Sequence, residues 1–162
     1  MARVRRKQVS PVQSPSGHYH LRWMIRKDWR AVLGIEAANW SDPMTEKDLE
    51  EKLRDRAISG FVAQDGEHVV GFMIYELSNG LIRLLDFGVH PACQRRGVGR
   101  AMIEKLIPKL GVARHRLVAE VHEGNLDVQL FFRAMGFKCV AVQRRFFDNG
   151  DDAYRFVRTL DD

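Results

Sequence analysis

The stretch that most constrains the fold covers residues 84–110, where an apolar segment, a glycine-containing loop and an amphipathic segment follow one another. The apolar run at residues 84–89 has the length of a buried strand, and His90-Pro91 ends it. From Val98 onwards, apolar residues recur at helical spacing. The sequence therefore predicts a strand, a short loop and a helix in immediate succession.

The loop of this unit has the composition of an anion site. It reads Gln94-Arg95-Arg96-Gly97-Val98-Gly99-Arg100, so two glycines stand where the backbone must turn and approach a ligand closely. The N–H groups at a helix start, the helix dipole and three arginines favour a phosphate or pyrophosphate. The third glycine of a dinucleotide fingerprint and the Gly-Lys-Ser/Thr ending of a nucleotide P-loop are missing. The alternative is an ordinary strand–loop–helix connection with exposed arginines.

The whole chain reads as strand, two helices, three strands, helix, strand, helix and two strands. We predict N-caps at Asp28, at Asn125, and at Thr45, which forms a capping box with Asp48. Pro108 cannot donate a backbone hydrogen bond, so a local kink is expected near the end of the third helix. The predicted strands cover residues 19–25, 61–64, 69–77, 81–89, 117–121, 137–142 and 153–160, and the helices cover about residues 29–39, 46–57, 98–110 and 126–135.

Composition bounds the class of protein. A chain of 162 residues suits one domain, for which we assign residues 18–162, and the basic residues 1–17 read as a disordered tail. Two cysteines are too few for a disulfide framework and lack metal-ligand spacing, so we expect a cytoplasmic protein with no metal site. No apolar run is long enough to span a bilayer. The net charge of +5 permits an anionic cofactor, an acidic substrate or a nucleic-acid-rich partner, and the tail leaves RNA or ribosome contact open.

The loop resembles a known motif. Gln-x-x-Gly-x-Gly after a strand ending in Val-x-Pro is similar to the acetyl-coenzyme A motif of the GNAT superfamily of N-acetyltransferases, and the order of elements matches that fold across residues 19–160. The resemblance implies an α/β (α+β) fold with a mixed, mostly antiparallel twisted sheet, helices on both faces, and a splay between the fourth and fifth strands. Acetyl-CoA would then be the co-substrate. The implied cofactor-binding residues are Phe87, Gly88, Val89, Gln94, Arg95, Arg96, Gly97, Val98, Gly99, Arg100 and Asn125.

The same resemblance suggests the catalytic groups. Glu120 lies five residues before Asn125, as does the catalytic Glu of the ribosomal-protein alanine N-acetyltransferase (RimI) subfamily, so Glu120 is the predicted proton acceptor. The Val89 N–H is implied to lie near the thioester carbonyl. Glu120 could instead be a structural carboxylate paired with an arginine, with the nearby His122 and Glu123 as the next candidates for the base.

One residue departs from that subfamily. Phe132 stands where relatives usually carry a Tyr proposed as general acid, so the leaving thiolate would be protonated by water or by another residue such as Tyr154. This departure is the best argument for a different class of protein, a non-catalytic acyl-CoA sensor.

The chemistry of amines favours one acceptor. An α-amine has a pKa near 7.8 and a lysine near 10.4, and this gap of about 2.6 units is worth roughly 3.5 kcal/mol of deprotonation. We therefore predict an acetyl-CoA-dependent N-acetyltransferase that acts on a primary amine, with a protein N-terminus favoured, by direct attack in a ternary complex. A small-molecule amine acetyltransferase is the alternative within enzymes. Either a monomer or a homodimer suits this prediction.

Overall fold

The computed structural model describes residues 18–161, so the predicted disordered tail, residues 1–17, lies outside the described residues. Its strands are β1 (His20–Trp23), β2 (Ile58–Asp65), β3 (His68–Ser78), β4 (Gly80–Val89), β5 (Arg114–His122), β6 (Lys138–Gln143) and β7 (Ala153–Thr159). Its α-helices are α1 (Trp29–Asn39), α2 (Glu46–Arg54), α3 (Val98–Leu106) and α4 (Leu126–Ala134), and short 3-10 helices lie at Arg26–Asp28, Pro91–Cys93 and Ile107–Lys109.

The strands form one sheet in the order β1-β2-β3-β4-β5-β7-β6. Only β4 and β5 are parallel neighbours, and every other pair is antiparallel. The predicted mixed, mostly antiparallel sheet is confirmed. The parallel pair is possible because α3 crosses over between its two strands.

Helices cover both faces of the sheet, as predicted. Two apolar clusters lie between helices and sheet, because each amphipathic helix buries one stripe. Within residues 18–161 no helix is long and apolar enough to cross a membrane. The cluster under α1 and α2 contains Val32, Ile35, Leu49, Val62, Phe72 and Ile74, and the larger cluster under α3 and α4 includes Met102, Ile103, Leu106, Phe132, Met73, Ile82 and Leu117.

The predicted splay lies at the carboxyl ends of β4 and β5. Their parallel pairing runs from Gly80 opposite Arg114 to Leu84 opposite Ala119, although β4 continues to Val89. Next to the end of this pairing, β4 has a β-bulge: Leu84 and Asp86 pair with consecutive residues of β3, and Leu85 has no partner there. Because a bulge bends its strand and increases the local twist, β4 leaves β5 from this point on.

The structure corrects the predicted bounds of four elements. The α-helical part of α3 ends at Leu106 and a 3-10 turn follows, because Pro108 has no N–H to continue the α-helical ladder. The second helix ends at Arg54. Strand pairing extends β2 and β5 beyond the predicted residues 61–64 and 117–121.

The N-cap predictions have mixed outcomes. Asp28 occupies the predicted N-cap position of α1, but its side chain does not cap that helix: its carboxylate accepts hydrogen bonds from the Ile25 N–H and from the Arg22 guanidinium, both at 2.8 Å. The hydrogen bond from Arg22 is the main reason that the pKa of Asp28 is lowered. The Thr45 capping box and the Asn125 cap are confirmed.

Candidate functional site

The loop before α3 holds two residues in the left-handed backbone region. Arg95 has φ 59° and Gly97, the N-cap of α3, has φ 85°. Left-handed residues that alternate with right-handed ones turn successive N–H groups toward one side. The first-turn N–H groups of a helix also have no partner within the helix. No acidic residue lies in the first turn of α3. The loop can therefore hold an anion.

The two glycines of the loop are needed for different structural reasons. A Cβ on Gly97 would meet nothing within 4 Å, so this glycine serves the left-handed turn. A Cβ on Gly99 would lie 3.1 Å from the Phe131 ring and 3.3 Å from Phe87. Those two rings stack with centroids 5.4 Å apart. Gly99 therefore allows α3 to pack closely against a wall of aromatic rings.

The first of two cavities in the splay, the cofactor-side cavity, has a volume of about 670 Å³ and is bounded by β4, the loop, α3 and α4. Two arginines in its lining, Arg95 and Arg100, suit an anionic ligand. Asn125, on its wall, also caps α4 by accepting a hydrogen bond from the Val128 N–H at 3.3 Å. The lining contains Phe87, Gly88, Val89, Gln94, Arg95, Gly97, Gly99, Arg100 and Asn125, together with Leu130, Phe131 and Met135.

Two predicted cofactor residues do not line this cavity. Val98 is buried in the core, so only its backbone N–H could serve an anion. The carbonyl of Arg96 accepts a hydrogen bond from the Tyr19 hydroxyl at 2.8 Å, which ties the loop to the N-terminal side of β1. Both of these contacts help to shape the loop.

The backbone at the end of β4 points into the splay. The His90 N–H donates to the Val70 carbonyl at 2.8 Å, and groups that face the neighbouring strand alternate along an antiparallel pair. The N–H groups of Phe87 and Val89 therefore point away from β3. The Val89 carbonyl accepts hydrogen bonds from Asn39 Nδ2 at 3.1 Å and Gln94 Nε2 at 3.2 Å.

Asn39 was missed as a site residue. Gln94 Nε2 also donates to Asn39 Oδ1 at 2.8 Å, so the two side chains clamp the end of β4 together. In the sequence, Asn39 carries only the signal of a helix end. Its contact with Val89 spans 50 positions and needs the fold to be seen.

A second cavity, the substrate-side cavity, has a volume of about 400 Å³ and lies across the splay from the first. Both cavities are lined by Trp40, Phe87 and Val128, so they meet in the gap between β4 and β5. The remaining wall is rich in carboxylates and in loop residues of the β6–β7 connection, including Glu36, Asp42, Asp86, Glu120, Asp148 and Asn149.

Glu120 lies on this wall with its charge already matched. Its side chain is 5% exposed, and Oε1 accepts hydrogen bonds from Arg83 Nη1 and from Arg155 Nε, the latter at 3.1 Å. Arg155 is opposite Glu120 in the register of β5 and β7. Both contacts use the same carboxylate oxygen. The arginine pairing considered in the sequence analysis is thus present, in a position that also faces the cavity.

The other two candidate bases are engaged in holding a loop. His122 Nε2 lies 2.8 Å from Asp151 Oδ2, and His122 Nδ1 accepts a hydrogen bond from the Gly124 N–H at 2.9 Å. The neutral ring therefore carries its proton on Nε2, and that hydrogen bond is the main cause of the lowered pKa of Asp151. Glu123 Oε1 accepts from the Asp152 N–H at 3.2 Å. These contacts fasten the β6–β7 connection to the end of β5.

Phe132 sits at the centre of an aromatic cluster and lines the substrate-side cavity. It is 3% exposed, and its ring centroid lies 4.9 Å from that of Phe137 and 5.4 Å from that of Phe131. Tyr154 packs against the same core without lining either cavity. Among the described residues that line the two cavities there is no tyrosine.

Glu36 was also missed by sequence reasoning, since it lies on a helix with no motif around it. It is 6% exposed and lines the substrate-side cavity. Burial, and after it the nearby Asp86, raise the pKa of Glu36. Its Oε1 accepts a long hydrogen bond of 3.5 Å from the Met44 N–H.

Comparison with known proteins is consistent with this geometry. Residues 19–137 match the family described as the acetyltransferase (GNAT) family. The [ribosomal protein bS18]-alanine N-acetyltransferase of Escherichia coli K12 is 28% identical over 127 residues, which are 76% of this chain and 84% of that protein. The N-alpha-acetyltransferase RimI of Mycobacterium tuberculosis is 38% identical over 77 residues, 46% of this chain and 47% of that protein.

Solved structures share the fold. The ribosomal-protein-S18-alanine N-acetyltransferase from Escherichia coli superposes with a TM-score of 0.76 at 23% identity, covering 88% of this chain and 94% of that one. NAA60 from Arabidopsis thaliana in complex with acetyl-CoA gives a TM-score of 0.77 at 17% identity, covering 90% of this chain and 100% of that one.

Proposed function

The chain belongs to the acetyltransferase (GNAT) family, and on that premise we propose that it transfers an acetyl group from acetyl-CoA to the N-terminal α-amine of a protein or peptide. One observation carries the proposal: a cavity lined by the glycine-containing loop and two arginines meets a cavity lined by several carboxylates at Phe87, in the gap between β4 and β5. A carrier and an amine that enter from opposite sides would meet in that gap, as a ternary complex requires.

The residues of the cofactor-side cavity suit acetyl-CoA. The coenzyme supplies an activated thioester. The first-turn N–H groups of α3, with Arg95 and Arg100, would hold its pyrophosphate, because a helix N-terminus and guanidinium groups both favour phosphate. Asn125 uses Oδ1 to cap α4, so its Nδ2 group would donate a hydrogen bond to the pantetheine arm. Phe87 and Phe131 supply an apolar wall.

Two groups of this chain would serve the transfer itself. The Val89 N–H points into the splay and would donate a hydrogen bond to the thioester oxygen as negative charge develops there. Glu120, through a water molecule, would accept the proton that the attacking amine loses. Its contacts with Arg83 and Arg155 use Oε1, which leaves Oε2 for this task. With Phe132 in place of a tyrosine, solvent would protonate the thiolate.

The choice of acceptor rests on amine chemistry and on the relatives. An α-amine is neutral far more often than a lysine at neutral pH, and a site with one base and no tyrosine acid suits the less basic amine. The Escherichia coli relative acts on alanine of ribosomal protein bS18 and the Mycobacterium tuberculosis relative is an N-alpha-acetyltransferase, which supports the same class of acceptor. The two free cysteines support a cytoplasmic location.

The test is acetyl-CoA turnover, followed by release of free thiol, on three sets of acceptors. These are short peptides with free N-termini, N-terminally blocked peptides that contain lysine, and small amines including polyamines. We expect turnover confined to free N-termini. Turnover confined to blocked lysine peptides or to small amines would overturn the proposed acceptor, and the latter would establish a small-molecule amine acetyltransferase.

A further inference from the structure

The carboxylates on the wall of the substrate-side cavity differ in whether they have a positively charged partner. Glu120 accepts hydrogen bonds from two arginines, and Lys52 Nζ lies 2.5 Å from Asp86 Oδ2. Glu36 forms no ion pair with any group among residues 18–161, and its Oε2 is a buried oxygen without a hydrogen-bond partner in that part of the chain. Asp42 and Asp148, which also lack an ion pair among these residues, are exposed to solvent, so Glu36 is the buried carboxylate of this cavity without a charged partner.

An unmatched buried carboxylate is unfavourable. Buried polar atoms in folded proteins nearly always find a partner, and a buried charge costs several kcal/mol unless it is paired. The raised pKa of Glu36 has this cause, with burial first and Asp86 second. Lys52 offsets this cost only in part, since its positive charge favours the ionised form of Glu36 but its ammonium group pairs with Asp86. A cation or a hydrogen-bond donor that enters from the cavity would supply the missing partner.

The chemistry of the proposed acceptor matches this requirement. An N-terminal α-ammonium carries a positive charge and three N–H donors, and it is the form in which most N-termini arrive at neutral pH. Glu36 lies on α1, one turn before Trp40, which stands where the two cavities meet. A cation at Glu36 would thus be on the acceptor side of the splay.

We propose that Glu36 binds the protonated α-amine of the acceptor and positions it for transfer. This inference rests on the proposed function and adds a specificity-determining residue to it. Glu36 holds the ammonium group in the encounter complex, and the proton then leaves toward Glu120 as the amine becomes the nucleophile. The carboxylate itself forms no covalent bond.

The experiment measures binding without turnover. The protein is saturated with coenzyme A and titrated with two peptides that differ only at their first residue, alanine in one and its des-amino analogue, a propionyl group, in the other. For Glu36→Gln we expect the affinity for the alanine peptide to fall about 10- to 100-fold and the affinity for the des-amino peptide to change less than about twofold. Glu67→Gln, which removes an exposed charge outside both cavities, should change neither.

The outcomes separate this inference from the function on which it rests. An unchanged affinity in Glu36→Gln, or an equal loss for both peptides, overturns the role of Glu36 even where the wild type acetylates the alanine peptide. A selective loss in a protein that never acetylates the peptide supports the binding role and overturns the proposed function. Glu36→Asp keeps the charge and should keep the preference for the alanine peptide, with thermal unfolding confirming that each variant folds.

Discussion

Glu120→Gln tests whether this carboxylate is a proton acceptor or only the partner of two arginines. The variant keeps the size of the side chain and removes its charge, leaving Arg83 and Arg155 without a counter-charge. Breaking a fully buried pair costs about 3–5 kcal/mol, and an exposed pair is worth about 0–1 kcal/mol. Because the carboxylate is 5% exposed and the arginines 29% and 34%, we expect the free energy of unfolding to fall by about 1–3 kcal/mol.

The effect on catalysis should be much larger than the effect on folding. A protein with a stability of about 5–15 kcal/mol stays folded after such a loss. Removal of a general base costs about 10²- to 10⁴-fold in rate. We therefore expect kcat for an N-terminal peptide to fall at least about 100-fold at a temperature where denaturant titration shows the variant folded.

Arg83→Gln is the matched control, because it disturbs the same ion pair and keeps the carboxylate. It should lose comparable stability and keep kcat within about threefold of wild type. A folded Glu120→Gln protein with kcat near wild type would refute the role of Glu120 as base. An Arg83→Gln protein that loses as much rate as Glu120→Gln would show that the network acts only as a structural unit.

Three further changes probe the rest of the site. Phe132→Tyr places a hydroxyl at the substrate-side cavity and should raise kcat about tenfold or more; an unchanged kcat would show that thiolate protonation does not limit the rate. Gly97→Val forces a β-branched residue into φ 85° and should weaken acetyl-CoA binding at least about tenfold, whereas Gly111→Val, also in open space, should not; equal affinities would contradict the anion role of the loop. The pKa of Glu36 is raised in the folded protein, so Glu36 makes the folded state less stable as pH rises through that pKa. Glu36→Gln should therefore increase Tm at pH 8 and hardly change it at pH 4. Equal changes in Tm at both pH values would contradict a raised pKa.

Local patterns were sufficient to predict the order of the elements. Periodicity and turn residues locate the strands and helices, and the Thr45 and Asn125 caps depend on side chains only three residues away. The errors are also local. The α-helix ends before Pro108, where a kink was predicted, and the Asp28 carboxylate accepts hydrogen bonds from Arg22 and the Ile25 N–H instead of capping α1. The residue at which a helix or strand begins or ends depends on which hydrogen-bond partners compete there, and a sequence pattern does not show which partner is preferred.

The loop before α3 and Glu120 could be proposed as site residues from the sequence, because glycines and arginines mark the loop within a few positions and the spacing from Glu120 to Asn125 matches the family that the chain resembles. Which groups meet across the sheet was decided only by the tertiary structure. Asn39 reaches Val89 across 50 positions, and Arg155 lies beside Glu120 through strand register. The unmatched state of Glu36 follows from burial and from the pairing of its neighbours, which are properties of packing in three dimensions and not of any sequence window.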